Sequence, residues 1–275
     1  MPAYPLVDLA LARRLERAEA TANAAFVDAR AQLEPHIGAT WIDVAGAYAM
    51  FDGVGSPLTQ TFGLGLFDPF LDTQLRIVEE FFDSRGASTV HEASSFTPTA
   101  TMQLIRARGY TAVEESVVLV KPTITDSSET NADVTVRLID ESESRVWARV
   151  SAQGWSSEGD ELTAFVESLG LVSARARGIH CFIAEADGQP IAAAALSLSA
   201  GIALLAGAST VPTARRRGAQ RALLQTRLAF AQAQGFDLAM IVTQPASASQ
   251  RNAERQGFRA AYSRTKWERR ASAHA

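Results

Sequence analysis

Residues 211–220 read Val-Pro-Thr-Ala-Arg-Arg-Arg-Gly-Ala-Gln, so three arginines and a glycine stand where an apolar stretch gives way to a helical pattern. Cations are misplaced in a first helical turn, where each opposes the macrodipole by roughly 0.3–1 kcal/mol. An anion among them explains all three: the free N–H groups of a helix start favour phosphate, and Gly218 lets the backbone come close to it. The implied chemistry is the holding of a diphosphate. Nucleophilic catalysis has no comparable signal. The chain lacks a Gly-x-Ser-x-Gly elbow, and its single cysteine, Cys181, sits in the apolar run 179–184, where it reads as a small buried hydrophobe. His36, His91, His180 and His274 show no metal-ligand spacing, so no metal is predicted.

The elements around the arginines are legible. Residues 203–211 form a nearly unbroken apolar run, expected to be a strand covered on both faces, and it feeds the turn directly. A helix follows, with Leu224, Leu228 and Ala231 on one stripe, Leu223 and Phe230 beside it, and Gly235 closing the pattern. Next come a buried strand over 238–243, a short helix over 247–256 ended by Gly257-Phe258, and a last strand.

In this order, and in its residues, the chain resembles the GNAT superfamily of acyl-CoA-dependent N-acyltransferases. The acyl-CoA motif of that family is Arg or Gln, two variable residues, Gly, one variable residue, then Gly or Ala; Arg215, Gly218 and Gln220 occupy its defined positions, and Asn252 with Gly257-Phe258 looks like its second motif. The close resemblance runs from residue 133 to the end. Two departures stand out: Gln220 where a small residue is usual, and Ala253 where many members carry a tyrosine acid.

The resemblance implies direct attack by a primary amine on the thioester of acetyl-CoA, the co-substrate, with no acyl-enzyme. It further implies that the backbone of Arg216, Arg217, Gly218, Ala219 and Gln220, with the arginine side chains including that of Arg215, holds the diphosphate, while the pantetheine arm runs along Ser209, Thr210 and Val211. An N–H near Thr210 or Val211 would stabilise the oxyanion. Asn252 would bond the pantetheine amide or the sulfur region, or is simply a polar residue of a short helix. Tyr262 is the nearest phenol able to replace the missing acid, though a strand tyrosine also serves packing. Trp155 lies in the loop 154–159, where the family often covers its acceptor, as a lid or as an anchor between helices. No general base emerges: the run 203–211 has no carboxylate, and Glu185, His91 and Glu92 are only positions to note. A net charge of −4 without a clustered basic excess argues against nucleic acid or histone tails and for a small-molecule amine. Two alternatives stay open, a non-catalytic CoA-binding regulatory or scaffolding protein and an N-acyltransferase using a longer acyl-CoA.

A chain of 275 residues with 47% hydrophobic content suits two domains. No apolar stretch reaches the ~20 residues a membrane span needs, and no signal sequence opens the chain, so a cytoplasmic location is expected. Both halves end alike: a helix closed by Gly86 or Gly235, a strand, a helix closed by Gly109-Tyr110 or Gly257-Phe258, and a strand. The expected fold is α/β (α+β), two tandem GNAT-like domains, each a mixed, mostly antiparallel central sheet flanked by helices. The expected division is a degenerate copy over 1–124, a linker over 125–132 and a catalytic copy over 133–275. The first copy carries Phe67-Asp68-Pro69-Phe70-Leu71-Asp72 before its helix; Asp68 and Asp72 would repel a diphosphate and Pro69 removes a donor. That copy is not expected to bind acyl-CoA.

Overall fold

The computed structural model describes residues 4–124 and 133–270; the expected linker lies outside the described residues. Asp8 opens α1 (Leu9–Leu33) by accepting from the N–H of Leu11 at 2.8 Å, and Pro35 follows its end. Then come β1 (Thr40–Val44), β2 (Ala47–Phe51), β3 (Gln60–Phe62), α2 (Asp72–Asp83), β4 (Thr89–Ser94), α3 (Thr99–Ala107) and β5 (Thr111–Pro122). Past residue 132 follow β6 (Thr135–Leu138), α4 (Ser144–Gln153), α5 (Asp160–Ser173), β7 (Ile179–Ala186), β8 (Gln189–Ser199) and β9 (Ile202–Thr210). The chain continues through α6 (Ala219–Ala233), β10 (Leu238–Thr243), α7 (Ala248–Arg255) and β11 (Arg259–Arg269). Three hairpins turn on residue pairs with positive φ at both positions, Ala45-Gly46, Asp187-Gly188 and Ala200-Gly201, the shape whose twist matches that of paired strands.

These elements form two compact units. One is continuous, residues 122–240; the other is split, residues 4–121 together with 241–270. The expected division at residue 133 runs along the sequence alone, whereas here the last strand does not close the unit that its sequence neighbours build. β11 lies between β4 and β5 of the split unit and pairs antiparallel with both, Trp267 opposite His91 on one side and Ser263 opposite Val117 on the other.

Within the split unit the strands run β1-β2-β3-β4-β11-β5, and within the continuous unit β10-β9-β8-β7-β6. Pairing is antiparallel except at one place in each, β3 with β4 and β9 with β10. Each parallel pair is joined by one helix, α2 or α6, so each unit contains the same βαβ crossover. The two units are tandem versions of one mixed, mostly antiparallel fold.

In the split unit, Ala20, Ala24 and Val27 of α1 pack on Met50 and Phe62, while Leu75, Val78 and Phe82 of α2 join Ile105 of α3 in a second core with Ala93 and Tyr110. α1 also carries Glu16, fully buried, whose Oε1 accepts from Arg264 Nε at 2.6 Å and from the Tyr262 hydroxyl at 2.8 Å; Arg264 Nη1 reaches Glu19 as well. These bonds fasten β11 to α1. In the continuous unit Trp147 of α4 is the largest fully enclosed side chain, and its indole N–H donates to the carbonyl of Phe182 on β7 at 2.9 Å. Among the described residues no helix is long and apolar enough to cross a membrane.

Candidate functional site

The parallel pairing of β9 with β10 covers only Ile202 to Leu204 against Leu238 to Met240. β9 runs on six residues further, to Thr210, so beyond Leu204 its backbone on that side has no partner in that ladder. On its other side β9 pairs with β8, and there the register slips: Ala195 faces Ala206, but Ala193 faces Ser209. Two residues, Gly207 and Ala208, thus stand opposite Ala194, a bulge opened by Gly207 at φ 58°. Residues 206–208 are exposed, contrary to the expectation of a strand covered on both faces. The signal was a lone glycine inside an apolar run, which marks a bulge or a close backbone approach.

After Thr210 the chain makes a short 3-10 turn over Pro212–Ala214 and enters α6 through Arg216 at φ 68° and Gly218 at φ 85°. Gly218 is the N-cap, no side chain caps it, and no acidic residue occupies the first turn. Left-handed residues on either side of Arg217 make the kind of turn that gathers successive N–H groups into an anion-binding concavity. Arg216 holds its conformation at a cost of about 1–2 kcal/mol, strain of a sort found at functional positions. Arg215, Arg216, Arg217, Gly218 and Gln220 are exposed, while Ala219 is buried. Residue types, backbone shape and exposure all fit an incoming diphosphate.

Neighbouring contacts fix this turn. The Gln220 amide donates to Thr210 Oγ1 at 2.8 Å, tying the helix start to the strand end, which gives the unusual glutamine a role. Arg215 Nη2 donates to the carbonyl of Gly154 at 3.0 Å, and Arg217 pairs with Asp187 at 2.8 Å. A Cβ on Gly154 would lie 2.5 Å from Ser209 Cβ, so only glycine allows α4 to end against β9. Ser209 is buried there and donates to the carbonyl of Ser151 at 2.7 Å; its hydroxyl is used in packing. The Val211 N–H donates to the carbonyl of Ile191 at 2.9 Å. Trp155 follows Gly154, is 40% exposed, and so sits on a loop tethered to the arginine turn.

The corresponding turn of the split unit is filled by its own side chains. Phe67 packs on Gly46 and Gly63, where an added Cβ would meet its atoms at 2.4 and 2.9 Å. The Arg17 guanidinium lies over the rings of Phe67 and Tyr48 at 4.0 and 4.4 Å and donates to Gly46, while Arg13 donates to the carbonyl of Leu66. At the head of α2, Gln74 accepts from the Leu71 N–H at 3.1 Å, and Asp72 pairs with Arg76 and Arg108, the Arg108 bond holding its carboxyl below the ordinary range.

Asn252 and Tyr262 belong to the split unit. Asn252 is exposed and accepts from Arg255. Tyr262 is buried, its hydroxyl is bonded to Glu16, and burial pushes its pKa far upward, so this phenol is engaged as a structural donor. Cys181 is buried, as expected, with its thiol pushed up to about 12 by desolvation. His91 is fully buried and its pKa falls to about 3, Glu92 accepts from Ser116 at 2.8 Å, and Glu185 pairs with Arg137.

Residues 143–258 match the model of the acetyltransferase (GNAT) family. A GCN5-related N-acetyltransferase from Kribbella flavida superposes with a TM-score of 0.62 over 89% of this chain and 95% of its own, at 19% identity. A tandem GNAT protein from the clavulanic acid biosynthesis pathway gives 0.61 over 83% and 79%, at 11% identity, and a GCN5-related N-acetyltransferase from Sphaerobacter thermophilus gives 0.54 over 96% and 93%, at 14%. At these identities the likeness is one of fold. No curated protein sequence matches the chain. Residues 143–258 thus carry the sequence pattern of the acetyltransferase (GNAT) family, and the chain along most of its length has the fold of solved N-acetyltransferases.

Proposed function

We propose that the protein is an N-acetyltransferase that moves the acetyl group of acetyl-CoA directly to a primary amine of a small-molecule acceptor. The observation that carries this reading is the uncapped start of α6, where left-handed Arg216 and Gly218 and a run of arginines follow a strand whose edge is open. Backbone N–H groups over 216–220 would take the diphosphate, with Arg215 and Arg216 adding charge. The edge of β9 beyond Leu204 would align the pantetheine arm, leaving Trp155 near the acceptor's approach. Acetyl-CoA supplies the activated acyl group and a thiolate leaving group of moderate basicity, roughly pKa 8.5 as for a free thiol, so departure does not demand a strong acid. The protein's part is positioning and polarisation. The first copy, over 1–124 in sequence, would be degenerate for acyl-CoA.

A second reading, a CoA-binding regulatory protein without turnover, is favoured by one observation: Ala253 replaces the usual phenol and Tyr262 is tied to Glu16. Thiol release from acetyl-CoA, followed against a panel of amino acids, amino sugars and simple amines, separates the two. Turnover with at least one amine is expected; tight acetyl-CoA binding with none would favour the second. Parallel assays with longer acyl-CoAs establish the chain-length preference.

A further inference from the structure

Arg227 lies in the middle of α6 on its apolar stripe, three residues after Leu224 and four before Ala231, and is 3% exposed. Among the described residues no carboxylate pairs with it. Its Nη1 instead donates to the carbonyl of Ala195 on β8 at 2.8 Å and to the carbonyl of Ala206 on β9 at 3.3 Å, while Nε donates to Leu223 one turn back at 3.2 Å. Ala195 and Ala206 are the last pair in register before the bulge. One guanidinium thus spans both strands where their ladder breaks. A buried cation without a counter-charge is costly, and a methionine of similar length would fill the space without that cost. Burial lowers its pKa to about 9, which still leaves a cation at neutral pH.

We propose that Arg227 is a positioning residue for acyl transfer, fixing the exposed peptides 206–208 of β9 along which the thioester carbonyl lies. Two effects follow from its geometry. The guanidinium locks the bulge, so the backbone donors past Ala206 are held in place before the acyl group arrives. It also polarises the Ala206–Gly207 peptide through the carbonyl it binds, which strengthens the N–H at the other end of that peptide, the Gly207 donor. With the Val211 N–H already bonded to Ile191, this exposed stretch takes the oxyanion role that the resemblance puts near Thr210 or Val211. The inference rests on the acetyltransferase reading for its catalytic half, and on the contacts alone for its structural half.

The test uses the full chain with Arg227→Lys and Arg227→Met. Hydrogen exchange of peptides covering 204–210 is expected to accelerate about tenfold or more in folded Arg227→Met and less in Arg227→Lys. Affinity for desacetyl-CoA is expected to stay within about twofold, because the arginine turn is untouched, and kcat to fall roughly 100-fold in Arg227→Met with partial rescue by lysine. A purely structural residue would lower the folded fraction without this split between CoA affinity and kcat. Unchanged exchange over 204–210 in either variant overturns the proposal whether or not an amine substrate is found, and unchanged kcat in a folded variant overturns it given turnover. If Arg227→Met does not fold, the lysine variant alone decides by the same two readings. Absence of turnover by the unaltered protein counts against the acetyltransferase reading instead, and leaves the exchange result to judge Arg227.

Discussion

At the head of α6 no side chain caps the backbone and arginines crowd the approach; at the head of α2 Gln74 accepts from the Leu71 N–H, Asp72 puts a negative charge in the first turn, and Phe67 and Arg17 fill the space in front. Both helices follow a strand in the same crossover, so topology does not distinguish them. The difference lies in charge and in filling. In the split unit an aspartate and packed side chains occupy the helix start, and in the continuous unit exposed arginines and backbone groups face solvent or a ligand. An anion site is thus a helix terminus kept open and free of negative charge.

The sharpest way to break this contrast is to give the continuous unit the other's charge. Gly218→Asp should weaken acetyl-CoA binding by roughly 100-fold or more, about 2.8 kcal/mol or above, in calorimetry. Aspartate tolerates left-handed backbone better than most residues, so the fold should survive. Unchanged affinity would move the ligand elsewhere.

Much of this contrast was legible in sequence because it is local. Three arginines before a glycine, against two aspartates around a proline, need no tertiary knowledge, and the helices and later strands followed from apolar spacing. The hairpin of β1 and β2 was missed, since Ala45-Gly46 is a weaker turn signal than Asp187-Gly188. The placement of β11 was unreadable for a different reason: its residues suit a strand in either unit, and only partners far away in sequence, Glu16 and Glu19 above all, decide which. The bond of Tyr262 to Glu16 was unreadable for the same reason. Gly207 and Arg227 did leave traces, a glycine within an apolar strand and a cation on an apolar helical stripe.

The split unit spends its charged groups inward, and Arg264→Met tests that. Glu16, Glu19 and Glu92 would lose the guanidinium they surround, and chemical denaturation should show a loss of about 3–5 kcal/mol. Acetyl-CoA affinity of the remaining folded protein should change little; a large loss would mean that the two regions are energetically joined.

A smaller effect concerns pH. Burial pushes Glu19 up to about 7, above the ordinary carboxylate value near 4.5. The folded protein therefore holds a proton that the unfolded chain has released, so this group's contribution is fully present below about 4.5 and is lost as pH rises through about 7. Thermal midpoints measured from pH 5 to pH 8 should fall with rising pH, and Glu19→Gln should flatten that slope. A slope that persists in the variant would assign it to another group.

The position of β11 between β4 and β5 also sets a timetable. A ribosome releases residues 4–121 early, yet their sheet lacks its inner strand until residue 269 has emerged, while residues 122–240 hold all the strands of their own unit well before then. At 5–20 residues per second the delay is on the order of ten seconds. During it the facing edges of β4 and β5 have no strand between them, and such edges invite strands from other nascent chains. Of the two units, the one whose strands are made earlier is the later to be finished.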